Sequence, residues 1–449
     1  MTITQSLPSA PLDTSATVAG QFLSRPGLLE RVVLTTTLFV YAWSTPFEWA
    51  TLAQGNVATS NPLTQAVFLA LLGCTVIALN GNWHIVLRAA GREPLIPTLL
   101  AIAALSTLWS TQPIDTFQQA FVMAATYLTA MHLVVRFTPR EILGMLGVVF
   151  AIGAVLNLGA VLVFSQGSSM NLGLSTGGGA ENAWRGVTAQ RNALGRAAVL
   201  GFLCCALNAR INRSTLLWPF FAVLNLVLLL GSNSATSLGA CAGLIALAFV
   251  VLGFRGRKTL YGATALSMTV VFSCLTLLAA IDLAAFTGFL GRDTTFTGRV
   301  PLWSDSIAHG ISKRPWLGYG WDGFWPNDYA SFDVLLRSHF DAPHAHNWFI
   351  DAWLMVGPVG ALLSVAIYLR GLVWSTQHIR RDGTAIGLFP TLVISLGVIY
   401  SLTEAGFISR SIQFIMLIVA ISLASGRASR PDVGAPAEAL PPSMGTVSQ

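Results

Sequence analysis

Long, continuous apolar runs set the pattern of this chain, and short polar segments separate them. The alternating ~10-residue strands of a membrane barrel are not the pattern seen. A helix needs roughly 20 mostly apolar residues to cross the hydrocarbon layer. Runs of that kind fall at about 31–49, 62–80, 95–110, 117–136, 141–165, 192–209, 215–232, 234–254, 260–288, 346–371, 384–403 and 408–425. They predict an all-α, polytopic membrane protein of about 12 transmembrane helices. Two polar stretches are longer than turns, 166–191 and 289–345. The chain thus divides into an N-terminal segment 1–30, a transmembrane domain 31–425 carrying those two loops, and a Pro/Ala/Ser-rich tail 426–449 predicted to be disordered. No internal repeat is visible.

Composition strengthens this reading. Of the 449 residues 54% are hydrophobic and only 10% charged, where soluble domains carry about 25% charged residues. Residues 1–25 are small and polar and lack the basic-then-apolar order of a cleaved signal. The five cysteines all lie in apolar runs without metal-binding spacing, and read as buried free thiols.

The charges orient the spans. With the N-terminus inside, the inner segments hold Arg25, Arg31, Arg88, Arg92, Arg136, Arg140, Arg210, Arg213, Arg255, Arg257, Lys258, Arg370, Arg380, Arg381, Arg427 and Arg430. Among the short outer turns only Arg410 is basic. This asymmetry predicts that both termini are cytoplasmic and that both long loops face outward. Eight basic residues nonetheless lie in or beside the outer loops: Arg185, Arg191, Arg196, Arg292, Arg299, Lys313, Arg314 and Arg337. A guanidinium grips phosphate as a two-pronged fork, so a lipid phosphate or diphosphate headgroup is the anion these residues suggest. Arg191 ("TAQRNALG") and Arg299 ("TFTGRVPLW") sit among small residues at a membrane boundary, where an arginine must find a partner. Lys313 and Arg314, in "SKRP", read as an exposed turn.

The larger loop is crowded with aromatics: Trp303, Trp316, Tyr319, Trp321, Phe324, Trp325, Tyr329 and Phe332. Interfacial anchoring and stacking against sugar rings both account for them. "WLGYGWDGFW" alternates glycine with aromatics and predicts a tight re-entrant or surface turn.

The loop ends in "HAHNWFIDAWLMVGPVG". Asn347 is a good N-cap for a helix starting at Trp348. His346 then lies beside the helix's positive end, which disfavours imidazolium and favours a neighbouring anion. A neutral imidazole beside an anion site is placed to act as a general base; an interfacial histidine that only caps or packs is the other reading. His344 reads as a solvated neighbour or a second participant. Pro358 cannot donate to Leu354, which predicts a kink, and Gly357 and Gly360 would let another helix approach. Glu404 and Arg410 mark the outer ends of the last two spans, as a local ion pair or as part of a site. No metal-hydrolase, nucleotide or dinucleotide motif appears, which argues against metal hydrolysis, ATP use and sugar-nucleotide donors.

His346-Asn347, followed after nine residues by Gly357-x-x-Gly360, resembles the signature of the O-antigen ligase superfamily. "TGRVPLWSDSIAHGISKRPWLGYGWDGFW" and "RGVTAQRNALGRAA" are similar to its exopolysaccharide-repeat polymerase branch, with Arg191 where that branch has lysine. Glu404 sits where the branch often has an acid. The resemblance implies a GT-C-like glycosyltransferase of the bacterial inner membrane, inverting, metal-independent and without a cofactor. The implied donor is a glycan on undecaprenyl diphosphate, among membrane lipids and with a flippase and a chain-length regulator as partners; nucleic acid is not one. It implies His346 as the catalytic base and Arg299, Arg191 and, less directly, Arg185 as diphosphate ligands. Asn347, Glu404, Arg410, Gly357 and Gly360 are supporting residues. A polymerase of lipid-linked repeats is the first expectation. A ligase that moves O-antigen onto lipid A core is the second, and a transporter or flippase of glycan lipids the third.

Overall fold

A computed structural model of the chain describes residues 26–43, 62–164, 173–174, 183–213, 215–253, 299–325, 329–339, 343–381, 385–404 and 406–426. The expected span at 260–288, Arg292, Cys274 and the tail 427–449 lie outside these residues. So does nearly all of the N-terminal segment.

The described chain is a helical bundle. Its helices are α1 (Leu28–Trp43), α2 (Pro62–Ala78), α3 (Trp83–Arg92), α4 (Leu95–Leu105), α5 (Pro113–Arg136), α6 (Pro139–Phe164), α7 (Arg191–Ile211), α8 (Leu217–Ser232), α9 (Ala235–Gly253), α10 (Arg299–Asp305), α11 (Tyr329–Ser338), α12 (Trp348–Arg381), α13 (Ala385–Thr403) and α14 (Ile412–Ala424). Every expected span within the described residues is a helix. Five of them are long and apolar enough to cross a membrane, or six if the bent pair α2–α3 is one span. The protein is therefore an all-α, multi-pass membrane protein.

Within the described residues the helices differ in length and polarity. α4, α8 and α14 are shorter apolar helices. α5 is 24 residues long, but Asp115, Gln118, Gln119, His132 and Arg136 make it more polar than a simple span. The inner turn expected around Arg88 is instead the helix α3, bent 99° from α2.

α14 forms the centre of the bundle. It is apolar all round, and Phe414 through Ile421 are all buried, as a helix enclosed by other helices must be. It packs on α5, α12 and α13. The outer helices α2, α6 and α8 leave Leu69, Val155, Leu162 and Phe220 exposed, as lipid-facing surfaces do. Cys204, Cys205 and Cys241 are buried free thiols, whereas Cys74 is exposed on α2.

Both polar loops are seated on the bundle. The first carries a two-stranded antiparallel ribbon, Gly173–Leu174 with Trp184–Gly186. Asn157 of α6 accepts from the Val187 N–H at 3.0 Å, and Trp184 packs on Gly231 of α8. The second loop contains α10, a π-turn, α11 and the segment "WLGYG", which runs against α12.

α12 is broken at Val356 and Gly357, whose backbones leave the helical region (Gly357 φ 71°). The kink expected from Pro358 is thus a full break. The carbonyls it releases find loop donors: Tyr319 N–H bonds Leu354 O at 2.8 Å, and Gly320 N–H bonds Met355 O at 2.9 Å. Gly357 does not admit another helix, as its spacing suggested. It admits the loop: a Cβ there would overlap the carbonyl oxygen of Trp316. Gly360 is tight for a different reason, since its Cβ would meet Val356 and Ala352 across the break in its own helix. Gly357→Ala, combining a positive φ with this overlap, should destabilise the protein by about 2 kcal/mol or more. Thermal melting of the purified protein in detergent would show it as a lowered midpoint.

Candidate active site

α12 starts where the sequence predicts. The Asn347 side-chain oxygen accepts from Phe349 N–H at 3.0 Å and from Ile350 N–H at 3.4 Å, capping the first turn. The residue before the cap, His346, has φ 51°, a left-handed conformation that costs a non-glycine residue of order 1–3 kcal/mol. Its neighbour pays for that strain through a double clamp. Ala345 N–H donates to the buried Asp351 carboxylate at 2.9 Å, and Ala345 O accepts from Trp303 Nε1 at 2.7 Å. Asp351 also accepts from Trp325 Nε1 at 2.8 Å. The histidine loop is therefore fixed to α12, α10 and the aromatic loop together.

His346 Nδ1 lies 3.1 Å from Glu404 Oε2. Glu404, just past the end of α13, is 1% exposed. Its other oxygen accepts from Arg299 NH2 at 2.9 Å and from Asn192 Nδ2 at 3.5 Å. Arg299, at the start of α10, also donates to Thr403 O at 2.5 Å. Burial alone would raise the Glu404 carboxyl, but the His346 hydrogen bond and the nearby Arg299 and Arg196 charges outweigh it and hold it well below the usual carboxylate range. An ionised carboxylate only accepts hydrogen bonds. The proton of a neutral His346 therefore sits on Nδ1, and Nε2 keeps its lone pair. That is the tautomer a general base requires.

His344 stands against this pair, its ring centroid 4.2 Å from that of His346. Its Nδ1 accepts the His346 backbone N–H at 3.1 Å. Burial first, then the neighbouring histidine, push its imidazole down to about 3. The sign of the linkage follows: a folded value below the ordinary 6.5 means that the unfolded chain takes up the proton first. Stability should be complete above about pH 6.5 and fall as pH drops from there toward 3. Melting midpoints across that range, flattened in His344→Gln, would verify this.

The expected residues divide into three groups. His346, Asn347, Arg299 and Glu404 come together. Arg191 begins α7 next to Asn192, but its NH1 donates to Asn233 O at 3.3 Å. Arg185 lies on the ribbon with NH1 on Ala189 O at 3.4 Å, while its buried Nε and NH2 atoms have no partner. Arg410 does not join Glu404: it is exposed, and its charge acts on Asp322 and Tyr41. The ion-pair alternative for Glu404 is realised with a different arginine, because α10 delivers Arg299 from over a hundred residues away.

Sequence reasoning did not single out Asn192, Thr403 or Asp351, left Trp303 among the loop's aromatics, and set His344 largely aside. Arg196 stood unseparated among the outer arginines. The aromatic question also separates. Tyr319, Trp321, Phe324 and Trp325 are buried structural residues, while Trp316, Tyr329 and Phe332 are exposed. Lys313 is paired with Asp333 at 3.2 Å on the surface.

His344, His346 and Glu404 offer three ligand atoms within 4.8 Å of one another. They fit a metal poorly. Both Glu404 oxygens are already engaged, and the Arg299 and Arg196 charges lie at the same place. The donor-rich surroundings suit an anion better than a cation.

Residues 220–365 match the family model described as O-Antigen ligase. This segment holds Arg299, His346, Asn347, Gly357 and Gly360, but neither Arg191 nor Glu404. The chain is also 29% identical over 220 residues to an exopolysaccharide production protein, ExoQ, of Rhizobium meliloti (strain 1021). That alignment covers 45% of this chain, and the chain spans about half the length of that curated relative. The buried histidine–carboxylate site thus sits on a membrane protein similar to the O-antigen ligase family over residues 220–365 and to an exopolysaccharide production protein.

Proposed function

We propose that the protein is a glycosyltransferase that polymerises lipid-linked oligosaccharide repeats, with undecaprenyl diphosphate as the carrier. The observation that carries the reading is the His346–Glu404 contact at 3.1 Å, made in a site rich in arginine. His346 Nε2 takes the proton of an acceptor hydroxyl. The hydroxyl oxygen bonds to the anomeric carbon as the bond to the diphosphate oxygen breaks, and the electron pair leaves on the diphosphate. Attack opposite the leaving group inverts the anomeric centre. Arginines stabilise the departing negative charge, so the reaction proceeds without a metal. Arg185, with free buried nitrogens, and Arg191, at the start of α7, are the diphosphate ligands carried over from the family pattern, with Arg299 shared between that role and Glu404. The site faces the periplasm of an inner-membrane protein whose termini are cytoplasmic, with a flippase and a chain-length regulator as partners.

Similarity to the exopolysaccharide production protein of Rhizobium meliloti supports an exopolysaccharide product. The family description supports the second reading, transfer of O-antigen to lipid A core. Purified protein supplied with lipid-linked repeat, with and without EDTA, separates them. Chain growth unaffected by EDTA is expected. Transfer only to core lipid would replace polymerase by ligase, and no new glycosidic bond with either acceptor would remove both in favour of transport.

A further inference from the structure

Three of the helices long and apolar enough to cross a membrane, α7, α9 and α13, do not close on one another over part of their length. They leave a groove of about 640 Å³, part of it open to the surroundings. Phe202 and Ala206 of α7, Leu244 and Ala248 of α9, and Leu388 and Leu392 of α13 are in its wall. Among the described residues the only charged one in the lining is Arg210, in the last turn of α7.

The groove occupies the end of the bundle away from the His346–Glu404 site. Leu388 stands near the start of α13, whereas Glu404 follows its other end. Asn192, which reaches Glu404, stands at the start of α7, whereas Arg210 is at its finish. From Phe202 to Arg210 the groove follows α7 for about 12 Å. That is within half of a hydrocarbon layer ~30 Å thick, the depth of one lipid leaflet. An apolar recess of this kind is not filled by water, and the surroundings of membrane-crossing helices are lipid.

The helix dipole and an inside excess of arginine account for a cation at the end of α7. They do not account for an apolar groove that ends on it. Arg210 is exposed and makes no ion pair among the described residues. An amphiphile with an acidic head and an apolar tail matches both features at once.

We propose that the groove binds an anionic phospholipid of the leaflet at this end, with one acyl chain between α7, α9 and α13 and the phosphate on Arg210. Basic pockets between membrane helices take such headgroups, and the guanidinium fork matches two phosphate oxygens. The tail of a prenyl diphosphate fits less well, because on the transfer reading its headgroup lies at the opposite end, beside Asn192 and Glu404. The site is separate from sugar transfer, and the proposal does not rest on that reading.

Native mass spectrometry of the full-length protein in detergent tests it, with phosphatidylglycerol or phosphatidylcholine of matched chains added. The wild-type protein should hold phosphatidylglycerol about fivefold more tightly. Arg210→Gln should lose that preference and still bind phosphatidylcholine. Ala248→Phe fills the groove and should weaken both lipids by about tenfold. Ala206→Phe fills it from the α7 wall and carries the test if the first variant does not reach the membrane. Arg88→Gln, at an exposed arginine of α3 outside the groove, should behave as the wild type. Phosphatidylglycerol should also raise the melting midpoint of the wild type more than phosphatidylcholine does, since it binds the folded state more tightly, and this difference should vanish in Arg210→Gln. Equal retention of the two lipids by the wild type, or an unchanged preference in Arg210→Gln, would overturn the proposal. So would undiminished binding in both groove-filling variants. Farnesyl diphosphate should not displace phosphatidylglycerol; displacement would assign the groove to a prenyl carrier and overturn the proposal as well.

Discussion

His346→Ala should stop chain growth while the protein stays folded in the membrane. The side chain bonds Glu404 and its ring meets that of His344, while the helix cap is made by Asn347, so the helix start does not depend on the imidazole. Loss of a positioned general base costs about 10²–10⁴-fold in rate. Lipid-linked repeat should accumulate unpolymerised, and binding of a prenyl diphosphate should persist. Normal polymer in cells carrying His346→Ala as the only copy would end the catalytic reading. His346→Gln is a useful companion: its amide fills the space and can bond Glu404, but it cannot accept a proton at neutral pH, so its activity should be as low as that of the alanine variant.

Glu404→Gln should be nearly as damaging, for a different reason. The carboxylate accepts from Arg299, Asn192 and His346 at once. An amide keeping its oxygen on Arg299 would turn its NH₂ toward His346 Nδ1. The ring would then carry its hydrogen on Nε2, which is the wrong tautomer for a base. The equivalent substitution in serine proteases lowers kcat by about 10⁴, and an effect of roughly that order is expected here. The variant also leaves Arg299, 6% exposed, without its counter-charge, and breaking a buried pair by removing one partner costs about 3–5 kcal/mol. The midpoint of thermal unfolding should therefore fall together with activity. Glu404→Asp keeps the charge on a shorter stem and should recover part of both. A fully active, fully stable Glu404→Gln would show that the pair positions nothing.

Much of the architecture was legible in the sequence because membrane helices are local. Twenty apolar residues form a helix in lipid whatever the rest of the chain does, since no water is present to satisfy a bare backbone. The N-cap at Asn347 and the break near Pro358 were equally local, each following from one residue's hydrogen-bonding capacity. Local reading failed where a segment's length or polarity depended on its neighbours. α5 tolerates its histidine and arginine because α1 supplies Glu30, 2.8 Å from Arg136, and nothing in the α5 sequence announces that partner.

The candidate site shows the same division. By itself the sequence determined that His346 stands before a helix start, that Arg299 and Arg191 stand among small residues, and that Glu404 ends a late apolar run. Those are statements about residues and their immediate neighbours. Only the tertiary structure decided that Glu404 pairs with Arg299 and not with the nearby Arg410, that the buried aromatics support the loop, and that Gly357 receives a loop in place of a helix. The reason is physical. A buried charge must be met by whichever group the packing brings to it, and here α10, α12 and α13 bring groups separated by up to 105 residues to within hydrogen-bond distance.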